Sequence, residues 1–186
     1  MAFQLFPDRP VLNFLPTLAE RGTNDVEGLG APADLVRWAR ESGLVDDVTV
    51  VTPDELERAR SVREAAFRLV SGLIDGRDPA ERDRQIVNGA AARPGPRLEL
   101  GPAGEVRRTG GLDALLSLLA ADCLDLFVSP DRRLLRWCSG ERCTRPFVDR
   151  SRGGRRRWCG MKGCGDRAKA AAYRARRRER RTEAVT

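Results

Sequence analysis

Residues 136–178 read RWCSGERCTRPFVDRSRGGRRRWCGMKGCGDRAKAAAYRARRR, and this stretch decides the fold of the C-terminal end. It holds the phrase Arg-Trp-Cys-x4-Cys twice. Four of the chain's five cysteines therefore fall in the pattern Cys138-x4-Cys143-x15-Cys159-x4-Cys164. Two close pairs separated by a short excursion are the sequence form of a four-cysteine zinc site. Each pair forms a tight turn that aims two thiolates at one point, and soft thiolates in a tetrahedral set favour zinc. One structural ion is expected, since four thiolates leave no open coordination position for catalysis. The competing use of such cysteines is two disulfides, which rarely persist in the cytosol. The segment has little apolar material of its own, so it needs a staple. Structural zinc contributes about 10–16 kcal/mol in small fingers.

Within the 15-residue excursion a hairpin is expected. Pro146–Asp149 would be one arm, Ser151–Gly154 the turn and Arg155–Trp158 the other arm. Trp137 and Trp158, each directly before the first ligand of a pair, are predicted to pack on either side of the metal. Gly165-Asp166 suits a helix start, and the Ala/Arg-rich run from Arg167 to about Arg181 should be helical. Knuckle, hairpin and a last ligand at a helix start make a treble-clef-like finger.

Charge is distributed unevenly. Residues 136–186 carry 17 Lys and Arg against 5 Asp and Glu, a net of +12. The rest carries 17 basic and 22 acidic residues, a net of −5, so a mildly acidic body bears a strongly basic end. Charge compensation at a zinc tetrathiolate uses two or three arginines. A solvated helix would interleave acids as i,i+4 partners, yet Glu179 is the only acid between Arg167 and Arg181. A polyanionic partner follows, nucleic acid before an acidic protein or a membrane surface. The candidate contacts are Arg155, Arg156, Arg157, Arg167, Lys169, Arg174, Arg177 and Arg178. Arg167, Arg174, Arg178 and Arg181 lie near one helix face; Lys169, Arg176 and Arg180 lie opposite. Cations on two faces suit a groove of duplex DNA with phosphates on both walls.

The chain contains no histidine, which removes His-based acid/base chemistry, Ser-His-Asp and Cys-His pairs and His ligands. No paired-carboxylate or Gly-rich phosphate motif stands out, and no enzyme activity is expected. The N-terminus lacks the basic n-region of a signal peptide. No run reaches the roughly 18 apolar residues of a membrane span. A cytoplasmic, nucleoid-associated protein is expected.

Residues 1–130 read as mainly α. Residues 1–30 are irregular around a short buried Val-Leu-Asn-Phe-Leu. A helix over 33–42 ends at Gly43-Leu44. Thr52-Pro53-Asp54-Glu55 is a capping box with Pro at N1, followed by apolar residues at helical spacing to Leu73. Asp78-Pro79-Ala80-Glu81 opens a helix to about Ala91. Leu98–Leu100 and Glu105–Arg107 flank a Gly-Pro-Ala-Gly turn as a small β-hairpin. Leu112 to about Val128 is apolar on more than one face and should be the central buried helix, with Cys123 packed inside it.

Residues Leu134–Arg178 resemble the CGNR zinc finger. Its pattern is C-x4-C, an F-x-D-x-S-R-x-x-x-R-R-W-C run, then C-x4-C-G-N-R-x-K and an arginine-rich helix. Here the run spans Phe147–Cys159, and the eponymous motif stands as Cys164-Gly165-Asp166-Arg167. Asp replaces Asn at 166; both cap helices. The N-terminal part is similar to the helical domain called ABATE through Val11-Leu12-Asn13-Phe14-Leu15-Pro16-Thr17, Pro32–Trp38 and Gly43-Leu44. Asn13 stands where the family pattern L-D-F-x-N-T has Asp, and Pro16 where it has Asn. The resemblance implies a bacterial stress-induced transcription regulator. An ABATE-like domain over 1–130 would sense a small-molecule effector or mediate assembly, homodimerisation included. A CGNR-type finger with its basic helix over 136–182 would bind double-stranded DNA. An RNA- or ribosome-associated zinc module is the alternative, since basic treble clefs also suit RNA backbones.

Overall fold

The structure, a computed structural model, describes residues 3–183. The side chains of Glu179 and of residues 181–183 lie outside the described residues, and with them the lone acid and Arg181 of the basic helix.

The protein is mainly α. Helix α1 (Pro10–Phe14) runs into a short 3-10 turn, Leu15–Thr17. The two-residue strands β1 (Leu18–Ala19) and β2 (Val26–Glu27) pair antiparallel, followed by α2 (Pro32–Ser42), α3 (Pro53–Asp75) and α4 (Glu81–Ala91). Strands β3 (Arg97–Leu100) and β4 (Val106–Thr109) form the expected hairpin, and α5 (Gly111–Asp125) follows. A 3-10 turn at Pro130–Leu134 leads into β5 (Leu135–Trp137), β6 (Pro146–Val148) and α6 (Asp166–Glu183).

Local chemistry sets the helix ends. At α3 the Thr52 hydroxyl accepts from Glu55 N–H at 3.2 Å, and the Glu55 carboxylate accepts from Thr52 N–H at 2.8 Å. This closes the capping box. Gly43 ends α2 in the left-handed region, φ +62°. Helix α4 begins two residues inside the expected Asp78-Pro79 start, and the Val-Leu-Asn-Phe-Leu segment is helical rather than irregular.

Helix α5 is the centre of the body. Its Leu112, Leu115, Leu116 and Leu119 pack with Trp38, Phe14 and Leu35 in one core cluster. Its Ala120 and Cys123 continue into a second cluster with Val11, Leu12, Leu15, Leu69 and Val70. Burial pushes the Cys123 thiol up to about 12, so it packs as a small apolar group. Leu135 of β5 and Val148 of β6 belong to the same second cluster. The helical body and the cysteine-rich segment thus share a core. A buried arginine ties the body's N-terminal loop down: Arg63, 2 % exposed, pairs with Glu27 at 2.6 Å and Glu64 at 2.7 Å.

Candidate metal centre and nucleic-acid interface

The β5 and β6 strands present the first cysteine pair on the loop between them. Leu135 pairs with Val148, Arg136 with Phe147 and Trp137 with Pro146. Cys138 N–H then donates to Arg145 carbonyl at 3.1 Å and Cys143 N–H to Gly140 carbonyl at 3.0 Å, which close the turn. Gly140 is required there: a Cβ would lie 2.9 Å from Cys164 Sγ. The second pair sits on the approach to α6. A wide turn at Met161–Gly165, with Gly163 at φ +99°, carries Cys164 to the helix start.

The four sulfurs lie within 4.8 Å of one another. Cys143 Sγ is 4.0 Å from Cys159 Sγ, which is 3.9 Å from Cys164 Sγ. A tetrahedron with zinc–sulfur bonds of about 2.3 Å has edges of about 3.8 Å, so the set fits one zinc ion. The shell also fits a thiolate charge. Gly140 and Cys159 N–H groups donate to Cys138 Sγ at 3.4 and 3.3 Å, and Arg167 Nη2 donates to Cys164 Sγ at 3.1 Å. Hydrogen bonds from the Cys143 and Cys159 thiols pull Cys138 down, and its thiolate pushes Cys143 up to about 12. A divalent cation removes that conflict by ionising every ligand. Cys138, Cys143, Cys159 and Cys164 together form a cluster that fits one structural zinc ion.

Two sequence expectations are corrected here. Residues 146–149 do not form a hairpin with 155–158; β6 pairs with β5 instead, because both strands bury an apolar residue in the body core. The 149–157 segment is a loop organised by Asp149. Its carboxylate accepts from the Ser151 hydroxyl at 2.6 Å, Ser151 N–H at 3.0 Å and Arg156 N–H at 3.1 Å. These bonds hold Asp149 below the usual carboxylate range. Trp137 does not shield the metal either. Its indole N–H donates to Asp75, the last residue of α3, at 2.9 Å and its ring packs on Phe67 of the same helix. Trp158 does pack against the cysteine cluster, where the other aromatic cover comes from Phe147 and from Phe6.

Phe6, Asn13 and Arg145 form a joint that sequence reading missed. Phe6 lies so close to Gly160 that a Cβ there would be 2.4 Å from its ring. The Arg145 guanidinium stacks over Phe6 at 4.3 Å and donates to Gln4 carbonyl at 2.9 Å and Asn13 Oδ1 at 2.7 Å. Asn13 also holds Phe6 by bonds to its N–H and carbonyl. The only signal in the sequence was the motif position of Asn13. A second link is ionic: Asp131 pairs with Arg9 at 3.1 Å and with Arg150 at 2.6 Å.

The basic residues separate into two groups. Arg155, Arg157, Arg167, Lys169, Arg174, Arg177 and Arg178 are exposed. Arg156 is half-buried and turned inward: its guanidinium stacks over Phe147 at 4.6 Å and donates to the carbonyls of Trp158 and Cys159. Arg157 lies over the Trp158 ring at 5.4 Å. Among the described residues no acid pairs with Arg155, Arg157, Lys169, Arg174 or Arg177. Tyr173, 60 % exposed, stands one turn from both Lys169 and Arg177.

The family model described as ABATE, a "putative stress-induced transcription regulator", matches residues 8–130. The chain belongs to the ABATE family. A second model, the CGNR zinc finger, matches residues 133–177 of this ABATE protein. No curated protein matches it. Among its described residues no helix is long and apolar enough to cross a membrane.

Proposed function

We propose that this ABATE protein is a transcription regulator that binds double-stranded DNA through the surface its zinc site organises. The observation that carries the reading is the set of exposed cations on a loop and a helix both tied to the four cysteines; among the described residues no acid pairs with Arg155, Arg157, Lys169, Arg174 or Arg177. Arg155 and Arg157 lie on the loop that ends at Cys159, and Arg167, Lys169, Arg174, Arg177 and Arg178 on the helix that starts after Cys164. Zinc supplies rigidity to this unit; the protein's own residues supply the phosphate contacts, and base contacts would come from the same helix. Arg156 acts by holding the loop to Phe147 and the knuckle. No catalysis is assigned, because the ligand set is complete without a substrate. The helical body of residues 1–130 serves as the sensing or assembly part, and the shared core and the Arg145 joint are the route by which it biases the finger of residues 136–182. A cytoplasmic protein in contact with the nucleoid is the setting this implies.

One observation favours a second reading. Tyr173 is exposed among arginines, as in platforms that stack unpaired bases, which fits an RNA-binding module.

The test is a salt titration of zinc-loaded protein with duplex DNA and with structured RNA. Arg155→Ala/Arg157→Ala and Arg174→Ala/Arg177→Ala should each weaken duplex binding and reduce the slope of log K against log salt, by about 0.9 per lost phosphate contact. Unchanged slopes for both would place the interface elsewhere.

A further inference from the structure

A groove of about 420 Å³ lies between α3, α4 and α5. Val62, Ile86 and Leu116 give it an apolar wall, and Arg58, Arg93 and Asp113 a charged rim. Its volume is in the range of small-molecule sites. Both guanidiniums converge on one carboxylate: Arg58 Nη2 is 2.6 Å from Asp113 Oδ1 and Arg93 Nη1 is 2.7 Å from Oδ2. The two contacts differ in quality. Arg93 makes a hydrogen bond. The Arg58 contact lacks hydrogen-bond alignment, since Asp113 Oδ1 and Arg58 Nε are both buried without a hydrogen-bond partner. A buried donor left unpaired is costly, so Arg58 loses little by turning to a better acceptor. A second carboxylate taken side-on by the guanidinium is that acceptor.

Gly89 stands inside α4 and lines the groove. Its backbone is not in the left-handed region, and nothing lies within 4 Å of an added Cβ. A large side chain can therefore be introduced at the groove without a clash at its base.

We propose that this groove binds a small monocarboxylate with an apolar body, which sits on Val62, Ile86 and Leu116 and bridges Arg58 and Arg93. The inference rests on the sensing role given above to the helical body and is independent of nucleic-acid binding.

The test titrates octanoate and, separately, benzoate into the zinc-loaded full chain without nucleic acid, followed by calorimetry and NMR. Octanol and benzyl alcohol are the uncharged controls. At least one acid should bind saturably at one site, about ten-fold or more tighter than its alcohol. Arg58→Ala or Arg93→Ala should weaken it at least about ten-fold, through loss of a charge-assisted hydrogen bond. Gly89→Phe fills the groove from open space and should abolish binding at unchanged thermal stability, so the test survives if an arginine variant fails to fold. Binding of neither acid, or binding that Arg58→Ala, Arg93→Ala and Gly89→Phe all leave unchanged, overturns the proposal. Because the titration contains no DNA, its failure leaves the finger reading standing, and a failed DNA titration leaves this one intact.

Discussion

Replacing Arg145 with Ala should loosen the finger from the helical body. Arg145 is 7 % exposed, donates to Gln4 carbonyl and Asn13 Oδ1, and covers the Phe6 ring. Each hydrogen bond from a charged donor is worth about 1.5–3 kcal/mol, and a desolvated cation–π contact about 2 kcal/mol. Against these stands the cost of burying the guanidinium, which pulls its pKa below the ordinary value. Truncation also leaves the Gln4 carbonyl without this donor, whereas Asn13 Oδ1 keeps the Phe6 N–H. Breaking a buried charged contact on one side costs about 3–5 kcal/mol, and the lower end fits here because one acceptor stays satisfied. About 3 kcal/mol corresponds to a fall in Tm of about 6–12 °C for a chain of this size. The assay is denaturation of zinc-loaded protein, with Arg145→Lys alongside. Lysine keeps the charge without the planar fork, so it should fall between wild type and Arg145→Ala. Stability of Arg145→Ala within about 0.5 kcal/mol of wild type, well inside the surface-substitution range, would refute the joint.

Three further outcomes are expected. Cys159→Ser, or chelation of the metal, should remove order from residues 138–165 and also lower the stability of the helical body, because Leu135 and Val148 sit in its core; circular dichroism and hydrogen exchange read both effects. Stability should fall as pH drops below about 4. The Ser151 hydroxyl with two backbone N–H groups, and Arg63 against the upward push of burial, hold Asp149 and Glu27 below their usual values. A depressed folded pKa gives stability that is present above the unfolded value and lost as pH falls through the folded one, so Asp149→Asn should flatten that decline. Trp137→Phe keeps the packing on Phe67 but removes the hydrogen bond to Asp75; it should cost about 0.5–1.5 kcal/mol and let the Asp75 pKa rise toward its ordinary value, measurable by NMR titration.

Features set by near neighbours were legible in the sequence. The Thr52 capping box, the Gly43 stop, the 97–109 hairpin and the central helix from 112 follow from spacing and turn residues a few positions apart. The four-cysteine cluster was legible because two close cysteine pairs separated by a short excursion are the sequence form of such a site. What depends on distant partners was not. Ser151-Arg152-Gly153-Gly154 has the composition of a hairpin turn, yet β6 gains more by pairing with β5 and placing Val148 in the body core. Trp137 precedes a ligand just as Trp158 does, but the strand alternation turns it toward α3. Phe6 lies in a proline-interrupted stretch with no periodicity, and only the fold reveals that it covers the cysteines. Arg156 is indistinguishable from its neighbours until the carbonyls it binds are in place.

We propose above all that the zinc-organised basic surface reads duplex DNA. The most direct measurement is binding-site selection: zinc-loaded protein against random duplex DNA near physiological salt, with a random RNA pool in parallel. An enriched duplex motif that is lost when the metal is chelated is expected. Salt-sensitive binding without enrichment, or stronger capture of the RNA pool, would contradict it.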